Sequence, residues 1–219
     1  MRPPENWSAA RVTLAIAAVT AAAWAAAALF RLQTYAVVVG GFIPGRLAGL
    51  PNDDIPSPVF LTPLTATLVH GGLVHLLFNL LILLFCGRAV ENIVGGKGLI
   101  LLYVLGAYAA AAGHWTVQPD SLVPMVGASG AISAVIGAYA LLFGRNRTKI
   151  ADPRLAMIVH ALWLAVAWVA LQLLIGFAFN TMGEGMESVA GIAIAAHIGG
   201  FLVGLLLAKP LLLWRWRGA

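Results

Sequence analysis

Residues 72–94 read GLVHLLFNLLILLFCGRAVENIV. The run is 23 residues long, is interrupted chiefly by His75, Asn79 and Arg88, and meets the roughly 20 apolar residues that a helix needs to cross a bilayer core of about 30 Å. Working outward, five further stretches qualify or nearly do: 12–30, 99–112, 123–143, 155–179 and 189–213. The third span in chain order, 99–112, is the shortest. The expected fold is therefore all-α, a single polytopic membrane domain over residues 1–219 with six transmembrane helices.

Composition agrees. The chain is 61% apolar and 10% charged, against about 45–50% and about 25% for a soluble domain. With so few charges it cannot clothe a soluble globule of 219 residues, so lipid must cover most of the surface. One cysteine, Cys86, excludes an internal disulfide framework and any multi-cysteine metal site. The connections carry turn chemistry, as in Pro51-Asn52-Asp53-Asp54, Gly95-Gly96-Lys97-Gly98 and Gly183-Glu184-Gly185. A long first outer loop over 31–71 is apolar in 60–69 but broken by Pro56, Pro58 and Pro63, so it reads as an interfacial or partly re-entrant segment.

A formal charge of +5 invites a nucleic-acid reading until the basic residues are placed. With the N-terminus inside, every Lys and Arg except Arg31 and Arg46 falls on the inner side, which is the positive-inside pattern. The basic balance then reports orientation against an anionic inner leaflet, with both termini cytoplasmic and no nucleic acid as partner. The first apolar run has 19 residues, more than the signal-peptide core of about 7–15, so a retained helix is expected.

Polar groups inside apolar spans are costly and are functional candidates by default. They are His75 and Asn79 in the second span, Ser129 and Ser133 in the fourth, His160 and Gln172 in the fifth, and His197 in the sixth. The second, fourth and sixth spans all enter from the outer side. At about 1.5 Å per residue, His75, Asn79, Ser129 and His197 share one depth, within about 15 Å of the outer surface. His75 and Asn79 are four apart and stack on one helix face, whereas His70 falls off that face. Ser129 lies in Gly127-Ala128-Ser129-Gly130-Ala131, and His197 in Ala195-Ala196-His197-Ile198-Gly199-Gly200. Such small residues let membrane helices approach closely enough for a direct Ser–His hydrogen bond.

These three motifs, His75-Leu76-Leu77-Phe78-Asn79, Gly127-Ala128-Ser129-Gly130 and Ala196-His197-Ile198-Gly199, in that order on alternating spans, resemble the rhomboid family of intramembrane serine proteases. The resemblance covers all six spans and the long outer loop. It implies hydrolysis of peptide bonds in or near transmembrane helices of membrane-protein substrates, with Ser129 as nucleophile and His197 as base. The Ser129 backbone N–H and Asn79 would be oxyanion donors, with His75 divided between that role and a structural hydrogen bond. The family pattern often sets an aromatic residue four positions after the nucleophile, where this chain has Ser133.

No acidic residue is expected at the depth of the dyad, and no cofactor or metal is implied: His70, His75 and Asn79 lack the HExxH spacing or a carboxylate partner. Since a helical substrate hides its amides, substrates weakened by Gly or Pro near the outer surface are expected. The 180–188 connection, with Gly183 and Gly185, is a candidate flexible cap. The expected setting is a bacterial inner membrane with the site open to the outer side.

The blander readings are packing for Cys86, Gln172 and His160, a solvated outer loop for His114, an interfacial charge near Arg88 or Lys97 for Glu91, and an inner interfacial belt for Trp214 and Trp216. The alternative function is a non-catalytic, derlin-like protein that binds membrane clients. A small-solute transporter is disfavoured by the lack of an inverted repeat and of midplane charge.

Overall fold

The computed structural model describes residues 10–49, 55–144, 150, 152–180 and 186–217, with side chains placed outside 171–193. Among the described residues eight α-helices follow one another: α1 Arg11–Leu29, α2 Gln33–Gly40, α3 Thr62–Thr65, α4 Leu73–Ile82, α5 Arg88–Val117, α6 Ser129–Phe143, α7 Pro153–Asn180 and α8 Met186–Arg215. The described residues form no strand beyond an isolated Phe42–Met125 bridge. In lipid the helix is the open-chain structure that satisfies its own backbone, and the molecule is a helical membrane bundle.

The opening stretch and its successor form one helical run of 45 residues, Leu73–Val117. A π-helical turn, Leu83–Gly87, joins α4 to α5, and the run kinks at Gly95, where φ is +79° and ψ 165°. Only glycine adopts that backbone without strain. The Gly95–Gly98 loop expected between two spans is thus one reversed residue between helical segments, and the second segment continues through His114 to Val117. Alongside this doubled run, Arg11–Leu29, Pro153–Ala170 and Ile194–Arg215 are long and apolar enough to cross a membrane, while Ser129–Phe143 is apolar but shorter.

The long connection between α1 and α4 holds no span among its described residues. Its proline-broken apolar part is a series of short helical turns over Val59–Leu68.

At the centre, α5, α6 and α8 pack against one another, with Leu99, Leu102, Ile132, Val135 and Ala208 fully buried. Large apolar side chains such as Leu73, Trp163 and Leu206 face outward. Lipid is as apolar as the core, so helix contact depends on close packing of small residues. Gly204 and Gly137 make that contact between α6 and α8, each with a facing backbone carbonyl, of Ala134 and Phe201 respectively, where a Cβ would stand.

At the other end of the bundle, Glu91 is buried rather than an interfacial charge. Its carboxyl group accepts the Val12 and Thr13 backbone N–H groups at 2.9 and 2.8 Å and the Thr13 hydroxyl at 2.7 Å. The first turn of α1 carries no acidic residue and Ala10 provides no side-chain cap, so Glu91 satisfies N–H groups that a helix start leaves open. Arg215 from the end of α8 donates to the carbonyls of Glu91 and Asn92, at 3.2 and 2.5 Å.

Candidate active site

Ser129 is the first residue of α6, with Ala128 as N-cap. Gly127 precedes them at φ +113°, and a Cβ there would stand 2.7 Å from the His75 ring. Both the backbone angle and the ring exclude a side chain at this position. The segment leading to Ser129 is pinned on two sides. Phe42 and Met125 exchange backbone hydrogen bonds at 3.0 and 2.8 Å, and the Gly127 N–H donates to the Ala66 carbonyl at 2.9 Å.

From α8, the His197 imidazole reaches this helix start: Nε2 is 2.8 Å from Ser129 Oγ. The approach depends on missing side chains. A Cβ on Gly200 would meet the Gly130 carbonyl, and one on Gly199 the Ala109 carbonyl. A hydroxyl at hydrogen-bond distance from an imidazole nitrogen is the arrangement that activates an oxygen nucleophile. Because Ser129 opens its helix, its own N–H has no acceptor four residues back, and the N-terminal dipole favours negative charge beside it. His197 Nδ1 is buried and has no hydrogen-bond partner among the described residues.

His75 and Asn79 line the same cavity as Ser129 and His197, a space of about 630 Å³. Asn79 is buried, and its Nδ2 donates to the His75 carbonyl one turn back at 2.8 Å. An amide nitrogen carries two hydrogens, so one is left to point elsewhere. The His75 ring meets His70 edge-on at 5.0 Å between centroids. His70 lies in the connection before α4; its burial and then the adjacent His75 lower its pKa to about 4, so it is neutral at physiological pH. Ser133 lines the cavity too, and its hydroxyl donates to the Ser129 carbonyl at 2.8 Å.

Other candidates fall elsewhere. His114 is fully buried on the last turn of α5, edge-on to Phe42 at 6.1 Å, and not in a solvated loop. The α5 helix simply runs further than its apolar stretch. His160 packs against Gly144, and Cys86 is buried and free. Trp214 and Trp216 are exposed beside Arg215, whose guanidinium lies 5.4 Å from the Trp216 ring. The side chain of Gln172 and the centre of the 180–188 connection lie outside the described residues. Trp168 of α7, which sequence reasoning passed over, lines the cavity and stacks on Phe201 at 4.9 Å and 8°. The available signal was that Phe201 lies one turn after His197, on the same face. Among the described residues no three His, Cys, Asp or Glu side chains cluster as a metal site would require.

Residues 59–214 match the Rhomboid domain family. The chain is similar to RHOMBOID-like protein 4 of Arabidopsis thaliana, 30% identical over 150 residues, covering 68% of this chain and 34% of that protein. It is also similar to Rhomboid protease GlpG of Pectobacterium atrosepticum, 32% identical over 143 residues, covering 64% and 45%. A third relative is Rhomboid protease GluP of Bacillus subtilis, 29% identical over 148 residues, covering 68% and 25%. The match thus spans from a quarter to under half of the length of these relatives. With most of its length matched to the domain and its helices arranged as a membrane bundle, the chain belongs to the rhomboid family.

Proposed function

We propose that this protein is an intramembrane serine endopeptidase that cleaves transmembrane substrates with a Ser129–His197 dyad. The observation that carries the reading is the 2.8 Å contact between Ser129 Oγ and His197 Nε2 at the start of α6, inside a cavity. His197 Nε2 takes the hydroxyl proton as Ser129 Oγ attacks the scissile carbonyl, and returns it to the leaving amine. Water then repeats the sequence on the acyl-enzyme. Negative charge on the tetrahedral oxygen is met by the Ser129 N–H and the free Asn79 amide hydrogen, with His75 beside them.

Depth supports this chemistry. With 15 residues, α6 is about 22 Å long, shorter than a hydrocarbon core of about 30 Å. If its far end sits at the inner surface, where the basic residues gather, Ser129 lies below the outer surface and within reach of water from that side.

The deciding experiment incubates purified protein in liposomes with single-span substrates and compares wild type with Ser129→Ala and His197→Ala. Cleavage should fall by at least roughly 10³-fold in both variants, and labelling by a serine-reactive phosphonate should require both residues. Cleavage that survives Ser129→Ala rejects the reading. Binding of the same spans without cleavage by wild type would instead favour the client-binding role.

A further inference from the structure

We propose that the end of the bundle opposite the dyad holds a binding site for the phosphate headgroup of an anionic phospholipid, built from the start of α1, the Gly95 turn and the end of α8. The site is separate from the dyad and stands whether or not the protease reading does.

Three elements bring cations to one place. Gly96 packs on Val12, whose Cγ2 lies 2.8 Å from where a Cβ on that glycine would stand, so Arg11 and Lys97 are each one residue from the same contact. Arg215 crosses the Gly95 turn, with its Cδ and Nε 3.5 Å from the Cβ position of Gly95, and Arg217 follows it. All four side chains are exposed. Glu91, the carboxylate beside them, is buried and spends its oxygens on Val12 and Thr13. Cations gathered in this way repel one another, and a bound anion relieves the repulsion.

Arg215 is the preformed part. Its Nη1 donates to the Glu91 and Asn92 carbonyls, and its guanidinium lies 5.4 Å from the Trp216 ring; together these hold the group in place. The Nε and Nη2 hydrogens remain for a further acceptor. A planar fork of this kind matches two oxygens of a phosphate, and a group already placed loses less freedom on binding.

Apolar surface one turn deeper selects a lipid over a soluble anion. In α1, Leu14 follows Arg11 by three residues, and in α5 Ile100 follows Lys97 by three. At the end of α8, which runs the other way, Trp214 precedes Arg217 by three, and its carbonyl accepts the Arg217 N–H. Residues three apart on a helical turn share a face, and Leu14, Ile100 and Trp214 are all exposed. Each element repeats one order, charge at the surface and an apolar side chain beneath it. That order suits a headgroup with acyl chains, and basic pockets between helices at the membrane surface take lipid headgroups in this way.

The test uses the full chain purified in an uncharged detergent and titrated with phosphatidylglycerol or, separately, with phosphatidylcholine, whose choline cancels the phosphate charge. Retained lipid is read by native mass spectrometry, and stability by the thermal midpoint. Phosphatidylglycerol should be retained and should raise the midpoint, because a ligand of the folded state stabilises it; phosphatidylcholine should do neither. Lys97→Gln/Arg217→Gln should weaken phosphatidylglycerol binding about thirtyfold, the contribution of two cations to attraction of an anionic lipid. Arg154→Gln/Lys209→Gln, which removes the same charge from exposed positions elsewhere on α7 and α8, should leave binding near wild type. Equal loss in the two double variants, or equal retention of both lipids, overturns the proposal. So does inorganic phosphate that raises the midpoint as far as phosphatidylglycerol does at the same concentration, which would assign the cluster to a soluble anion.

Discussion

Asn79 already spends one amide hydrogen on the His75 carbonyl, and that bond fixes where the other one points. A donor held in this way needs no rearrangement as charge develops on the substrate oxygen, which is where preorganised donors act. Asn79→Ala should lower kcat by roughly 10²–10³-fold, as loss of one oxyanion donor does, with KM little changed; steady-state kinetics on a single-span substrate checks the split. A fall confined to binding would assign Asn79 to packing instead. At this scale the sequence was most readable where polar residues interrupt apolar helices, because lipid makes each of them conspicuous. Ser129, His197, Asn79 and His75 stood out for that reason, and the structure brings them to one cavity. Glu91 and His114 were misread for the converse reason. Each lies near the end of an apolar run, where a charge or an imidazole normally meets water, and their burial depends on partners distant in sequence: α1 for Glu91 and Phe42 for His114.

Between elements, the spacing of α6 and α8 decides whether Ser129 and His197 meet at all. Gly200 is the tightest point, since a methyl group there would meet the Gly130 carbonyl, a backbone atom that cannot turn aside. Gly200→Ala should therefore push the helices apart while leaving each helical. A misplacement of about 1 Å can cost roughly 10²-fold in rate, so phosphonate labelling and cleavage should drop together, with helicity by circular dichroism unchanged. Unchanged labelling would show that the bundle absorbs the methyl elsewhere. The helices themselves were legible from apolar length, and the small-residue motifs pointed to close approach. The kink was not. Gly95, Gly96 and Gly98 all permit a turn, and which one reverses the chain is set by packing, with the Arg215 side chain 3.5 Å from the Cβ position of Gly95.

Across the molecule, the dyad and the Glu91 network occupy opposite ends of the bundle but share helices. α5 holds Glu91 at one end, and α8 carries both His197 and Arg215. Glu91 ties the start of α1 to α5, and Arg215 ties the end of α8 to the same turn. Glu91→Ala would strand the buried N–H and hydroxyl of Thr13 and the half-buried N–H of Val12, at about 1–3 kcal/mol for each buried donor left unsatisfied. The thermal midpoint in detergent should fall by several degrees, with kcat/KM on a single-span substrate near wild type at low temperature. An equal midpoint would mean that water replaces the carboxyl group.

The shortness of α6 has a consequence for how the chain tolerates changes of length. Irregular segments usually accept insertions because they lie at the surface. Here α6, at 15 residues, is too short to cross a bilayer core alone, and the stretch that reaches Ser129 has its backbone fixed to Phe42 and Ala66. An added residue between Met125 and Gly127 would shift Ser129 relative to His197 as surely as one inside a helix. Among relatives this loop should hold its length as strictly as the core, while length variation collects in the other connections.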